Sequence, residues 1–208
     1  FMGFSSLFIF VTMRIIQMKR NLILSLWLSA ASITFSLSLF GLIGIGPLKE
    51  FLFQPSTLYR VDYWLTAIRM IKSNLLFGVG PDQFQYFYTR FRDAASVRRE
   101  VNVITDSAHN YFLQTGATLG LVVLAALIVL YLYISLIGIR RSLFSRKSQI
   151  QIEDLVFSLW TGFFLQSLIS VENIVLITWG FIFGAIILSL EHSNVINFQA
   201  KDVRRGNR

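Results

Sequence analysis

Residues 115–139 read TGATLGLVVLAALIVLYLYISLIGI, and Arg140 and Arg141 follow at once. A hydrocarbon core of about 30 Å needs roughly 20 apolar residues in a helix. This stretch has the length and no charge, so it reads as a membrane span. Three more stretches come close: 21–45, uncharged between Arg20 and Lys49; 155–171; and 174–190, parted from its predecessor only by Glu172 and Asn173. A fifth, 1–13, is too short to span. It lacks the positive flank of a signal peptide, so it is expected to be the truncated end of a further helix and the chain a fragment. The expected fold is all-α, a polytopic helical membrane protein with about five transmembrane helices and a large helical extracytoplasmic loop. Two spans are expected within 1–46, the loop over 47–114, three spans within 115–190, and a basic cytoplasmic tail over 191–208.

Composition agrees. Of the 208 residues, 54% are hydrophobic and 14% charged, against about 25% charged in a soluble domain. Disordered chains and ordinary soluble enzymes are excluded, and with no cysteine so are disulfide scaffolds and thiolate chemistry. The net charge of +8 raises the question of nucleic acid. Its distribution answers it. Arg14, Lys19 and Arg20 share one connection; Arg140, Arg141, Arg146 and Lys147 share another; Lys201, Arg204, Arg205 and Arg208 lie in the tail. All three clusters fall on one side of the expected spans, as the positive-inside rule requires of the cytoplasmic side. The basic balance is therefore a topology signal, and no nucleic-acid partner is expected.

The segment between Pro47 and Gln114 lies on the other side. A connection of that length normally carries function or structure of its own. Trp64, Leu65, Ile68 and Ile71 alternate with polar residues over 60–73, which predicts an amphipathic helix ended near Asn74 or Gly78. A glycine-proline turn follows at 77–81, with Pro81 suited to the first position of a second helix running through Phe84, Phe87, Tyr88 and Phe91. Residues 97–104 read as irregular. Thr105-Asp106-Ser107 offers a cap for a helix that runs on into the span.

Several residues here can carry chemistry. His109 falls in the first turn of the helix that Asp106 or Ser107 is expected to cap. A helix N-terminus favours neutral imidazole and bound anions, although a histidine that merely hydrogen-bonds at an interface is the simpler reading of the residue alone. Arg60 and Arg69 can fork onto phosphate oxygens. For Arg69 and Lys72 interfacial snorkelling is the preferred reading. For Arg60 the two readings stand level, because Trp64, one turn on, offers it a platform. Gly78-Val79-Gly80 lacks the Lys-Ser/Thr of a nucleotide loop and reads as a tight turn. The run Tyr86, Phe87, Tyr88, Phe91 suits an interfacial belt better than sugar stacking. The loop has no paired histidines and no D-x-D spacing, which weakens a metal-dependent mechanism.

Three linked blocks resemble the outer-face loop of the O-antigen ligase and polymerase family of bacterial membrane proteins. They are Arg60-Val-Asp-Tyr-Trp64; Asn74-Leu-Leu-Phe-Gly78-Val-Gly80-Pro-Asp-Gln-Phe84; and Asp106-Ser-Ala-His109-Asn110-Tyr-Phe-Leu-Gln114 with Gly116-Ala-Thr-Leu-Gly120. The resemblance implies a glycosyltransferase of the bacterial inner membrane, its large loop on the periplasmic or outer side. It implies a polyprenyl-pyrophosphate-linked oligosaccharide donor, a glycan or lipid-linked sugar acceptor, and no cofactor or metal. It makes His109 catalytic and Arg60 the pyrophosphate ligand; Trp64, Arg69 and Asn110 are further substrate-binding candidates read from the residues themselves. Family members have more spans and usually a second key Arg, whose position would fall before residue 1. That departure leaves the activity of this stretch alone in question.

Two other readings compete. A transporter, the label some relatives carry as bicarbonate transporters, should hold ionisable residues near mid-span. The four full spans hold none, and Gln166 and Asn173 are the nearest polar candidates. A non-catalytic accessory subunit of a polysaccharide assembly complex would share the same loop.

Overall fold

The structure is a computed structural model that describes residues 2–52, 55–99, 104–144, 151–170 and 173–206. The described residues are helical, with no strand among them: α1 (Met2–Gln17), α2 (Asn21–Leu42), α3 (Lys49–Leu52), α4 (Pro55–Ser73), α5 (Phe84–Phe91), α6 (Ala94–Arg99), α7 (Tyr111–Phe144), α8 (Ile152–Ser167) and α9 (Ile174–Gly206). Three stretches among them are long and apolar enough to cross a membrane: Asn21–Leu42, Tyr111–Ser142 and Ile174–His192. The count of five expected from sequence is thus met only in part. α1 and α8 have 16 residues each. At about 1.5 Å per residue they reach about 24 Å, short of a core of about 30 Å. α9 does not stop at the membrane edge but continues to Gly206.

The chain forms two units. One comprises Phe1–Arg20, Val129–Gln166 and Asn173–Arg208. Glycines let its helices approach closely, as small residues do between membrane helices. Gly162 lies against Ser6, Gly138 against the Phe157 ring and Gly180 against the Phe163 ring. The fully buried Trp160 donates its indole N–H to Ser135 Oγ at 3.1 Å. At one end Arg141, its side chain 9% exposed, pairs with Glu153 at 2.5 Å and Glu191 at 3.0 Å. Gln17 Nε2 donates to the Ser142 carbonyl and to Asp154 Oδ1. A nearly buried cation needs such partners to offset its lost hydration.

The other unit comprises Asn21–Ile128 and Ser167–Glu172. It contains the whole expected loop, which has its own core. Tyr63, Ala67 and Met70 of α4, Phe84 and Tyr88 of α5, Ala108 and Ala117 are all buried together. The face of α4 that packs differs from the one hydropathy predicts. Leu65 and Ile68 are 44% and 37% exposed, while Tyr63, Thr66, Ala67 and Met70 are buried. Ala67 is small enough to let the α5 aromatics approach, and Tyr63 meets Tyr88 edge to face at 5.8 Å. Shape at the contact, rather than hydropathy, selects the buried face. α5 begins at Phe84 and not at Pro81, because Asp82 takes a left-handed conformation (φ 56°) in a turn closed by Gln83 N–H to the Gly80 carbonyl. Phe84 and Tyr88 are fully buried in this core, so the run expected as an interfacial belt is split: Tyr88 packs inside, whereas Tyr86 is 75% exposed. α6 takes up part of the stretch read as irregular, and 100–103 lie outside the described residues.

α7 is broken. Gly120 (φ 84°, ψ 175°) has non-helical backbone inside it. A break in a helix strands carbonyls before it and amides after it. Here residues 75–80 satisfy them. Val79 N–H donates to the Ala117 carbonyl at 2.8 Å, Gly80 N–H to the Thr118 carbonyl at 2.9 Å, and Leu121 N–H to the Leu75 carbonyl at 2.7 Å. The glycines make this possible. A Cβ on Gly78 would stand 2.5 Å from the Thr118 carbonyl carbon, and one on Gly120 would run into the Leu76 carbonyl. The Gly78-Val79-Gly80 turn is therefore a backbone plug for the helix break. Gly120→Ala is expected to expel it. The backbone pair at residue 120 is essentially glycine-only and costs of order 1–3 kcal/mol for other residues, before the clash is counted. The expected result is a lowered unfolding temperature in detergent and new protease cleavage within 74–80. Wild-type behaviour would overturn this account of the break.

Candidate functional site

The site is built where α4 meets the turn before α7. The sequence predicts His109 in the first turn of a helix capped by Asp106 or Ser107. The structure corrects this. α7 begins at Tyr111, and Asn110 is its cap: Asn110 Oδ1 accepts the Leu113 N–H at 3.0 Å, and its carbonyl accepts the Gln114 N–H at 2.9 Å. A side-chain oxygen on an amide of the first turn is what Asn does well at that position. His109 stands one residue outside the helix, with left-handed backbone (φ 53°). For a residue other than Gly, Asn or Asp, that conformation persists only when the surroundings hold it.

The surroundings do. His109 N–H donates to Ser107 Oγ at 3.1 Å, and Ala108 N–H donates to Gln114 Oε1 at 2.9 Å. Thr105 Oγ1 donates to the Ser107 carbonyl at 2.9 Å. Asn110 Nδ2 donates to the Leu168 carbonyl at 2.8 Å, tying the turn to a distant stretch of chain in the same unit. The imidazole lies stacked on the Tyr63 ring, centroids 5.3 Å apart and planes 28° apart. Tyr63 is in turn braced by Tyr88, over which the Arg92 guanidinium sits at 5.2 Å.

Burial lowers the His109 pKa below its usual 6.5, the positive charge of Arg60 lowers it further, and Asp106 opposes them. The imidazole is therefore neutral near pH 7 and can accept a proton. Arg60, exposed on α4, lies within electrostatic reach of it. A half-buried proton acceptor thus feels the charge of an exposed cation.

The other candidates fall out differently. Trp64, one turn beyond Arg60, is half-buried, and its Nε1–H is buried without a hydrogen-bond partner among the described residues. Arg69 donates to the Phe91 carbonyl at 3.2 Å and pairs with Asp93 at 3.3 Å. That occupies it in joining α4 to the α5–α6 turn. Both side chains of the pair are over a third exposed, so the bond adds little stability. Asn110 has both ends of its amide engaged by the protein, so it positions the turn. Tyr63 and Gln114 lie inside the quoted motif blocks but are not singled out there as site residues. Their one-turn spacings from Arg60 and Asn110, together with their place in those blocks, are the signals that could have flagged them.

A family model described as O-antigen ligase matches residues 1–128. The chain belongs to the O-antigen ligase family. The match takes in α1 to α6, the break in α7, and Arg60, Trp64, Arg69, His109 and Asn110. No curated protein and no solved structure matches the chain. Membership in the O-antigen ligase family points to glycan transfer of the ligase or polymerase type and to a membrane setting with lipid-linked sugars, and it does not favour the transporter reading.

Within this ligase-family loop, Asn110 offers a test of positioning. Asn110→Ala removes both the cap, worth about 1 kcal/mol, and the tie to Leu168. Asn110→Asp keeps the capping oxygen and loses only the tie. The expected order of unfolding temperature is wild type, then Asp, then Ala, read by thermal denaturation in detergent. Equal temperatures for the two variants would show that the cap contributes nothing.

Proposed function

We propose that the protein transfers a glycan from a polyprenyl-pyrophosphate-linked donor to a sugar hydroxyl on the extracytoplasmic face of the bacterial inner membrane. What supports this reading above all is the pairing of a neutral His109 with Arg60 in a family that transfers glycans. The acceptor hydroxyl oxygen attacks the anomeric carbon of the donor. The bond from that carbon to the phosphate oxygen breaks, and its electron pair leaves with the carrier pyrophosphate. The hydroxyl proton passes to His109. Arg60 stabilises the charge that gathers on the leaving group, where a preformed cation is most effective. No nucleotide sugar is needed, because the pyrophosphate is already the activated leaving group.

Deleting the gene for the protein in its host tests the reading, with surface glycans and carrier-linked intermediates as readout. Loss of the surface glycan with long carrier-linked chains accumulating marks a ligase. Accumulation of single carrier-linked repeats marks a polymerase. Unchanged glycans and intermediates overturn the proposal.

A further inference from the structure

Phe77 is 83% exposed, and its neighbours Leu76 and Leu75 are 60% and 51% exposed. Three consecutive large apolar side chains at the surface of a connecting turn have a reason when something apolar covers them. Their place in the fold identifies the cover. The Leu75 carbonyl accepts the N–H of Leu121, the first residue after the α7 break, at 2.7 Å. Leu119, Leu121 and Val122 are themselves exposed, so the apolar turn continues the apolar surface of a membrane-spanning helix. Counted back along α7 from Arg140, residues 121–139 rise about 29 Å at about 1.5 Å each, the thickness of a hydrocarbon core of about 30 Å. The break at Gly120 therefore falls at the bilayer boundary, and the triad falls there with it. Lys72, exposed one turn before Leu75, is placed as a basic residue should be to meet lipid phosphates.

We propose that Leu75-Leu76-Phe77 is a lipid-inserted wedge. It enters the leaflet on the loop's side beside α7 and sets the height of the His109 site over the membrane. The three backbone bonds at the break hold the wedge rigidly to the span, so the bilayer contacts a fixed feature and not a loose loop. This inference concerns the bilayer and stands whether or not the glycan-transfer reading holds.

The chain has no cysteine, so a single introduced thiol can be labelled cleanly. Phe77→Cys carrying a nitroxide, with the whole chain in phosphatidylethanolamine and phosphatidylglycerol vesicles, reports collision with oxygen, which enriches in lipid, and with a water-soluble nickel chelate. Tyr86→Cys, at a site 75% exposed on α5, supplies the water-facing reference, and Val129→Cys, at a site 66% exposed on α7, the lipid-facing one. The expected result is an oxygen-to-nickel ratio at residue 77 well above that at 86 and below that at 129, as befits insertion just inside the boundary. A ratio like that at 86 overturns the wedge. Shielding from both reagents also overturns it, since a protein segment or a bound carrier chain would then cover the triad. Leu76→Cys repeats the reading at a second position should Phe77→Cys fold poorly, with helical content checked by circular dichroism.

Discussion

His109→Ala is expected to cripple glycan transfer while the helical spectrum and membrane insertion stay as in wild type. The expected loss is about 10²–10⁴-fold, the range for removal of a positioned acid-base group. The loss follows from how the residue is held. Its left-handed backbone, the Ser107 and Gln114 bonds around it and the Tyr63 stack fix one imidazole orientation. His109→Gln should fail nearly as completely, because an amide of similar reach takes no proton at neutral pH. The check is transfer from a carrier-linked donor, comparing single-turnover rates. Wild-type rates in either variant would remove His109 from the chemistry. The pH profile adds a second reading. The active form is the neutral one, so transfer falls as pH falls, with its acid limb below the usual histidine value of 6.5. The same sign holds for folding. The unfolded chain, with the higher histidine pKa, takes up the proton first, so the contribution of His109 to stability is lost as pH falls through its folded pKa.

Arg60→Ala is expected to give the second large effect, about 10²–10³-fold in turnover, by analogy with loss of one charge-stabilising donor in a transition state. Arg60→Lys should recover only part of it. A lysine is a point charge and cannot make the two parallel bonds that a guanidinium makes to phosphate oxygens. If Lys restores full activity, Arg60 acts as charge alone. If Ala does too, Arg60 binds nothing that matters. Arg60 also sets the titration of His109. Arg60→Gln removes a repelling cation and moves the His109 pKa up, whereas Asp106→Asn removes an attracting anion and moves it down. Following the imidazole proton resonance by NMR in detergent measures both shifts without needing activity. Shifts of the same sign in the two variants would contradict the site electrostatics.

Much of this was legible in the residues. The all-helical membrane character follows from length and apolarity, which are additive properties of a segment. The positions of Arg60 and His109 came from three linked motifs. The glycines at 78, 80 and 120 were visible too, but only as punctuation. What they punctuate was not, because the bonds from Leu75, Val79 and Gly80 to residues 117–121 join segments about forty residues apart. The buried face of α4 escaped for a related reason. Hydropathy ranks Leu65 and Ile68 above Thr66 and Ala67, and only the partner helix reveals that close approach by small residues matters more.

The cap of α7 shows the same division at the scale of one turn. Asp106, Ser107 and Asn110 are all good capping residues, and the sequence alone does not choose among them. The choice falls on Asn110 because Gln114 and Leu168 engage the turn from outside it. That choice moves His109 off the helix and onto the face of Tyr63. By itself, then, the sequence determined that this is a helical membrane chain, and it named the side chains that are candidates for chemistry. Only the tertiary structure decided how His109 is oriented, what keeps it neutral, and how a broken helix has its backbone satisfied. Segment properties add along the chain, whereas orientation and burial depend on contacts between residues far apart in it.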